Sequence, residues 1–272
     1  MQKSITDAAI KGWIDNKETG TNTQANITSK NVVVNPVQKS KNNAVSLSQD
    51  FIYAAKTGES LDKLLSSLEN LDYSSLTNML RSDNEKKAFW INIYNGFSNS
   101  ILKKNTAQYS DRNEFFKAKQ ISLAGKIFSL DEIEHDFLRR TKIKWSLGYL
   151  GKIFSSKIAK ELRVQQLDYR IHFALNCGAK SCPPIAYYSP EPLDQQLEIA
   201  TKNYLNSEAE YNKEENILFL PAIMSWFRAD FGGKKGMKNI VEKYQVFPFG
   251  SDPKIEFKKY DWTLELDNYK IE

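Results

Sequence analysis

Apolar positions recur at helical spacing through most of the chain from about residue 47 onward. Phe51, Ala54 and Ala55 mark one helix, Leu61, Leu64, Leu65 and Leu68 a second, and Leu76, Met79 and Leu80 a shorter third. Ser82-Asp83-Asn84-Glu85 has the form of a capping box, in which the first and fourth residues satisfy each other's backbone N–H; it predicts a long helix through about Lys103. Between Gln120 and Phe128 the period changes to alternation around Ala124-Gly125, which reads as a hairpin. Ser129-Leu130-Asp131-Glu132 is a second capping box and predicts a helix to about Arg140. Tyr169 to Asn176 reads as a strand, followed by a loop with Gly178, Pro183 and Pro184. Leu193, Leu197, Ala200 and Tyr204 mark a helix with Pro190 and Pro192 at its start. A short strand at Ile217–Leu220, a helix from Pro221 to Phe231 stopped by Gly232-Gly233, a helix from Met237 to Tyr244 and a closing strand or hairpin from Ile255 to Leu266 complete the pattern.

Helices with scattered short strands and no βαβ rhythm predict an α+β fold: a mostly helical single domain over residues 47–272 with a small, mainly antiparallel sheet. Residues 4–14 have the spacing of a short helix. Asn16 to Ser46 is rich in Asn, Thr, Ser and Lys and holds too little apolar surface to offset its ordering entropy, so residues 1–46 read as a flexible N-terminal arm or linker.

Composition narrows the function. The 272 residues carry 38 basic and 33 acidic side chains, a net charge of +5, with the lysines scattered rather than blocked. The footprint of a nucleic-acid binder is missing, which leaves a small molecule or peptide as the expected partner. The most apolar run, Ile217 to Phe227, is about half of the roughly 20 residues a spanning helix needs, so no membrane span is expected. The N-terminus lacks the apolar core of a signal peptide; as given the chain is expected in the cytoplasm, or secreted or periplasmic if a leader has been trimmed. Two His (His135, His172) and two Cys (Cys177, Cys182) are the only imidazoles and thiols. Two cysteines build no disulfide scaffold and fall short of a zinc signature, so no metal or cofactor is assigned.

Three segments carry candidate chemistry. On the predicted long helix, Asn92, Asn95 and Asn99 fall in one narrow sector of an otherwise apolar surface, which fits either a solvated face or a buried amide network. On the next helix, Glu134 falls within the apolar stripe and His135 at its edge. A carboxylate held there is desolvated and acts as acid, base or ligand unless an Arg such as Arg139 or Arg140 pairs with it. In RIHFALNCGAKSCPP, strand alternation sets His172, Ala174 and Asn176 on one face and Phe173, Leu175 and Cys177 on the other, which makes His135 the better base for Cys177. Lys180 and the loop amides between the cysteines would lower a thiol pKa. An inert buried pair, a local disulfide and a metal site using both thiols with His remain alternatives.

The strings AFWINIYNGFSNSIL, SLDEIEHDFLRR, RIHFALNCGAKSCPP and KKYDWTLEL, in that order, resemble the domain-of-unknown-function family numbered five hundred and forty-seven, over roughly Ser82 to Glu265. The resemblance implies that Asn92, Asn95, Glu134, His135, Arg139, His172, Asn176, Cys177, Ser181, Cys182 and Asp261 occupy motif positions. Glu265 stands where the family carries Asn after its Tyr-Asp-Trp core. Two functions fit this set. One is a thiol-dependent hydrolase or acyl transferase with Cys177 as nucleophile, His135 or His172 as base and Asp261 or Glu134 as orienting carboxylate. In it Asn92, Asn95 or loop amides stabilise the oxyanion, and Asn176, Arg139, Ser181 and Cys182 bind substrate. The other is a non-catalytic binding or scaffold module built on a buried Asn/His/Cys network, with a metal-stabilised variant.

Overall fold

The computed structural model describes residues 39–248 and 250–269; the short helix expected over residues 4–14 and most of the expected arm lie outside them. The first helix, α1 (Asn43–Thr57), begins four residues before the expected domain start, because the Asn42 side chain accepts the N–H groups of Ala44 and Val45 and caps it. Helices α2 (Asp62–Glu69) and α3 (Tyr73–Met79) follow as expected.

The centre of the fold is α4 (Asp83–Lys104), whose Ser82/Glu85 capping box is fully formed. Every residue from Lys86 to Asn99 is buried, so the helix is enclosed on all sides and its polar side chains must find protein partners. Lys86 Nζ donates to the Glu161 and Arg163 carbonyls, and Trp90 Nε1 to the Leu162 carbonyl. Gly96 is the point of closest approach to α1: a Cβ there would lie 2.5 Å from Phe51 Cε1.

After α5 (Arg112–Lys117), strands β1 (Ile121–Leu123) and β2 (Lys126–Phe128) form the expected antiparallel hairpin. Its two tip residues, Ala124 and Gly125, both take positive φ, as a two-residue turn between twisted strands requires, and their N–H groups bond to Leu68 and Glu69 of α2. The Ser129/Glu132 capping box is also formed, but the helix it opens is a π-helix over Glu132–Leu138 rather than an α-helix to Arg140. Arg139 N–H bonds to the Glu134 carbonyl and Thr141 N–H to that of Asp136, each five residues back.

Tyr169–Asn176 is not a strand. Asp168 accepts the N–H of Arg170 and starts a 3₁₀ turn, Tyr169–Phe173, after α6 (Lys157–Leu162). The alternation was misleading because Ile171, His172, Phe173 and Ala174 are all buried, and a short run enclosed on every side has no solvent period to read. The face assignment of His172 and Cys177 falls with it.

Helix α7 (Leu193–Glu208) leads to a three-stranded sheet of order β3 (Glu210–Asn212), β4 (Ile217–Leu220), β5 (Lys254–Phe257). The β3–β4 pair is antiparallel and β4–β5 parallel. Between β4 and β5, α8 covers only Ala222–Trp226, and α9 (Gly233–Lys243) starts at the Gly-Gly pair expected to end a helix. Gly232 and Gly233 both take positive φ there, and the Gly236 N–H reaches back to the Gly232 carbonyl. Beyond β5 the chain does not continue as a strand or hairpin. It crosses the surface as an extended strap, joined by single bridges at Ala179–Leu264 and Ile185–Tyr269. The architecture is α+β, with one core around α4 and a second around Phe173, Leu218, Met224, Phe231 and Val241.

Candidate functional site

The amides of α4 resolve into a buried network, not a solvated face. Asn92 accepts the Tyr188 N–H and donates to the Tyr188 carbonyl and Ser48 Oγ. Asn95 accepts the Asn176 N–H at 2.8 Å and donates to the Ala174 carbonyl at 2.9 Å. Asn176 in turn accepts the Gly178 N–H and donates to the Pro183 carbonyl, so this Asn–Asn relay holds both ends of the cysteine loop against the central helix. The Asn99 carbonyl oxygen accepts from the Tyr269 hydroxyl at 3.3 Å. Both ends of the Asn92 and Asn95 amides are therefore engaged in positioning backbone.

The strap clamps the same loop from outside. Lys180 N–H donates to the Thr263 carbonyl, Ser181 N–H to the Asp261 carbonyl, and Glu265 N–H to the Gly178 carbonyl. Ser181 Oγ accepts the Asp261 N–H, which accounts for two motif positions at once. The exposed Asp261 carboxylate takes the Thr263 N–H and faces Lys180 Nζ at 4.0 Å; its pKa is lowered first by the Thr263 side chain and then by that N–H. Gly178, with φ of 86°, sits where a Cβ would lie 2.8 Å from Leu102.

Held this way, the two free thiols meet. Cys177 Sγ and Cys182 Sγ are 2.7 Å apart, longer than the ~2.05 Å of a disulfide. The Cys177 N–H points at Cys182 Sγ at 3.0 Å, and the Tyr260 hydroxyl lies 3.1 Å from Cys182 Sγ and 3.5 Å from Cys177 Sγ. The hydrogen bond from Cys182 lowers the Cys177 pKa against its own burial, with Tyr260 and the Ala179 N–H adding to the effect. Burial pushes Cys182 well above the ordinary thiol range, and its bond to Cys177 adds to this. The pair therefore divides its roles: Cys177 ionises first and Cys182 keeps the proton. Cys177 is half-buried, whereas Cys182 is 5% exposed and borders a cavity of about 280 Å³ whose walls include Lys180, Tyr187, Asn203, Tyr204 and Glu208.

Glu134 is the second unusual group. Burial raises its pKa to about 7, against the opposing charge of Arg139, and Tyr94 donates to its Oε2 at 3.4 Å. Burial, then the neighbouring charges of Glu134, Cys177 and Cys182, keep the Tyr94 hydroxyl protonated.

Both imidazoles belong to a separate buried cluster. Arg139 and Asp230, with wholly buried side chains, pair at 2.6 Å, and His172 Nε2 bonds Asp230 Oδ2 at 2.9 Å. Arg139 Nη1 lies 3.0 Å from His135 Nδ1; because guanidinium only donates, the His135 proton belongs on Nε2. The His172 ring stacks on Phe227 at 4.1 Å and Arg139 lies over the same ring at 4.3 Å. Burial, then the Arg139 charge, hold His135 neutral, and burial outweighs the Asp230 bond to lower His172. Burial pushes Asp230 up, but its bonds from His172 and Arg139 outweigh that and keep it ionised. The structure thus brings Cys177, Cys182, Asn95, Asn176, Ser181 and Asp261 together in one assembly and His135, His172 and Arg139 in another. Neither imidazole is hydrogen-bonded to a thiol. Asp230 and Tyr260 complete the two clusters, and neither takes a role from the sequence alone; no local signal marks Asp230, whereas Tyr260 is the Tyr of the Tyr-Asp-Trp core. Among the described residues no group of three or more His, Cys, Asp or Glu side chains is arranged to hold a metal ion, and no described helix is long and apolar enough to cross a membrane.

Residues 78–205 match the model of a family described as "Protein of unknown function, DUF547". The chain therefore resembles that family over the stretch from the end of α3 through most of α7, including α4, the π-helix and the thiol loop. No curated protein and no solved structure matches the chain. The matched stretch ends before Asp230 and Tyr260, so each cluster is completed from outside it.

Proposed function

We propose that the chain is a thiol-dependent enzyme with Cys177 as nucleophile, and that the reaction its geometry supports best is thiol–disulfide exchange with Cys182 as the resolving thiol. The observation that carries this reading is the 2.7 Å Sγ–Sγ separation between two free thiols whose pKa values are driven in opposite directions. The Cys177 thiolate attacks one sulfur of an incoming disulfide; a new S–S bond forms, the old one breaks, and the departing thiolate takes up a proton. Cys182 then loses its proton to solvent and attacks Cys177 Sγ, expelling the second thiolate. The pair ends as a disulfide and the substrate disulfide has gained two electrons.

With oxidised glutathione, the native protein is expected to form an intramolecular disulfide, Cys182→Ser to stop at a mixed disulfide on Cys177, and Cys177→Ser to stay unmodified, each read by mass spectrometry. Equal modification of Cys182 in Cys177→Ser, or no modification without unfolding, overturns the proposal.

Acyl transfer from the same thiolate is the second reading, favoured by Glu134 with its pKa of about 7 as an acid for the leaving group. It predicts turnover of an activated ester that survives Cys182→Ser and falls in Glu134→Gln.

A further inference from the structure

The loop after the π-helix presents apolar side chains outward at a density found nowhere else among the described residues. Trp145, Leu147, Tyr149, Leu150, Ile153 and Phe154 are 77%, 40%, 58%, 50%, 89% and 92% exposed, and the other exposed large apolar side chains are Tyr53 and Ile127. The loop is preformed. Ile143 N–H bonds to the Leu150 carbonyl and Lys152 N–H to that of Thr141, which closes a stem, and Ser146 Oγ bonds both Ile143 and Leu150 inside it. The Ala229 N–H holds the Leu147 carbonyl, tying the loop to the body. An apolar tip held in place this way exposes its surface to water without the entropic relief of a mobile segment, and surfaces of this kind mark contact sites.

We propose that this loop docks the protein on an anionic lipid surface. Two features favour lipid over protein. From Lys142 to Lys160 the chain carries five lysines and no acidic residue. Lys144, Lys152 and Lys157 face Asp131, Asp136 and Glu161, so five lysines against three acids leave the collar a positive excess from Lys142 and Lys160. That arrangement matches acyl chains beneath acidic headgroups, and Trp and Tyr suit the interfacial level between them. Secondly, the most exposed side chains, Ile153 and Phe154, project from the end of the loop rather than line a groove. Two copies meeting through this loop would also bring their lysine collars together.

The test is co-sedimentation with vesicles of phosphatidylcholine alone and of phosphatidylcholine mixed with phosphatidylglycerol, at low and high salt. The wild-type chain is expected to bind the mixed vesicles, to lose binding as salt rises, and to show Trp quenching by brominated acyl chains that Trp145→Phe reduces. Ile153→Asp combined with Phe154→Asp, at positions that contribute little to the folded core, is expected to lower binding at least tenfold with an unchanged melting curve. Absence of binding to the anionic vesicles overturns the proposal, as does equal binding by the double variant. Wild-type self-association in sedimentation, abolished by the double variant while vesicle binding is absent, assigns the loop to a second copy and also overturns it.

Discussion

One side chain on α4 anchors the thiol site to the central helix. Asn95 bonds the Asn176 N–H and the Ala174 carbonyl, and thereby fixes where the cysteine loop leaves the 3₁₀ turn. Asn95→Ala leaves both backbone groups buried and unpaired, and about 1–3 kcal/mol of stability should be lost, measurable by urea denaturation. The Asn stripe was legible in the sequence as a pattern, but its meaning was not, because a solvated face and an enclosed network share the same periodicity. Only the burial of α4 on every side decides between them. Asp230 is a harder case: nothing local distinguishes a surface acid from the partner of a buried arginine. Asp230→Ala would strand the Arg139 charge among apolar rings, and the expected cost is roughly 3–5 kcal/mol in the same measurement.

At the level of elements, both capping boxes and the hairpin at Ala124-Gly125 were readable because their causes are local: reciprocal hydrogen bonds within four residues and a turn that needs positive φ. The π-helix was not, since its wider winding depends on what it packs against, and the 3₁₀ turn at Tyr169–Phe173 was hidden by uniform burial. The π-helix holds Glu134 in an apolar setting that lifts its pKa from an ordinary 4.5 to about 7. A carboxyl whose folded pKa exceeds its unfolded one binds its proton more tightly when folded, so its effect on stability is nil at low pH. Stability then falls as pH rises from about 4.5 to 7 and levels off above that. The expected fall is on the order of 3 kcal/mol, the side chain being 14% exposed. Glu134→Gln should remove that slope from melting curves recorded across the interval.

Across the whole molecule, the recognisable motifs occupy the middle of the chain, and the groups that complete them arrive from its last third. The strap carrying Tyr260 and Asp261 closes over the cysteine loop, and the segment after α8 brings Asp230 to the imidazoles. This long-range assembly divides the scarce reactive side chains into a thiol pair, with Cys177 half-buried and Cys182 buried, and a separate buried imidazole cluster, a separation that chain order could not reveal. The central claim is that this assembly makes Cys177 the ionising thiol and Cys182 its proton-bearing partner. The most direct measurement is the pH dependence of iodoacetamide alkylation of each cysteine in the native protein, read by peptide mass spectrometry. Cys177 should react with an inflection below the ordinary thiol value of 9.0, while Cys182 stays unmodified through that range. Reaction of both thiols together at or above that value, or only after unfolding, would contradict the account.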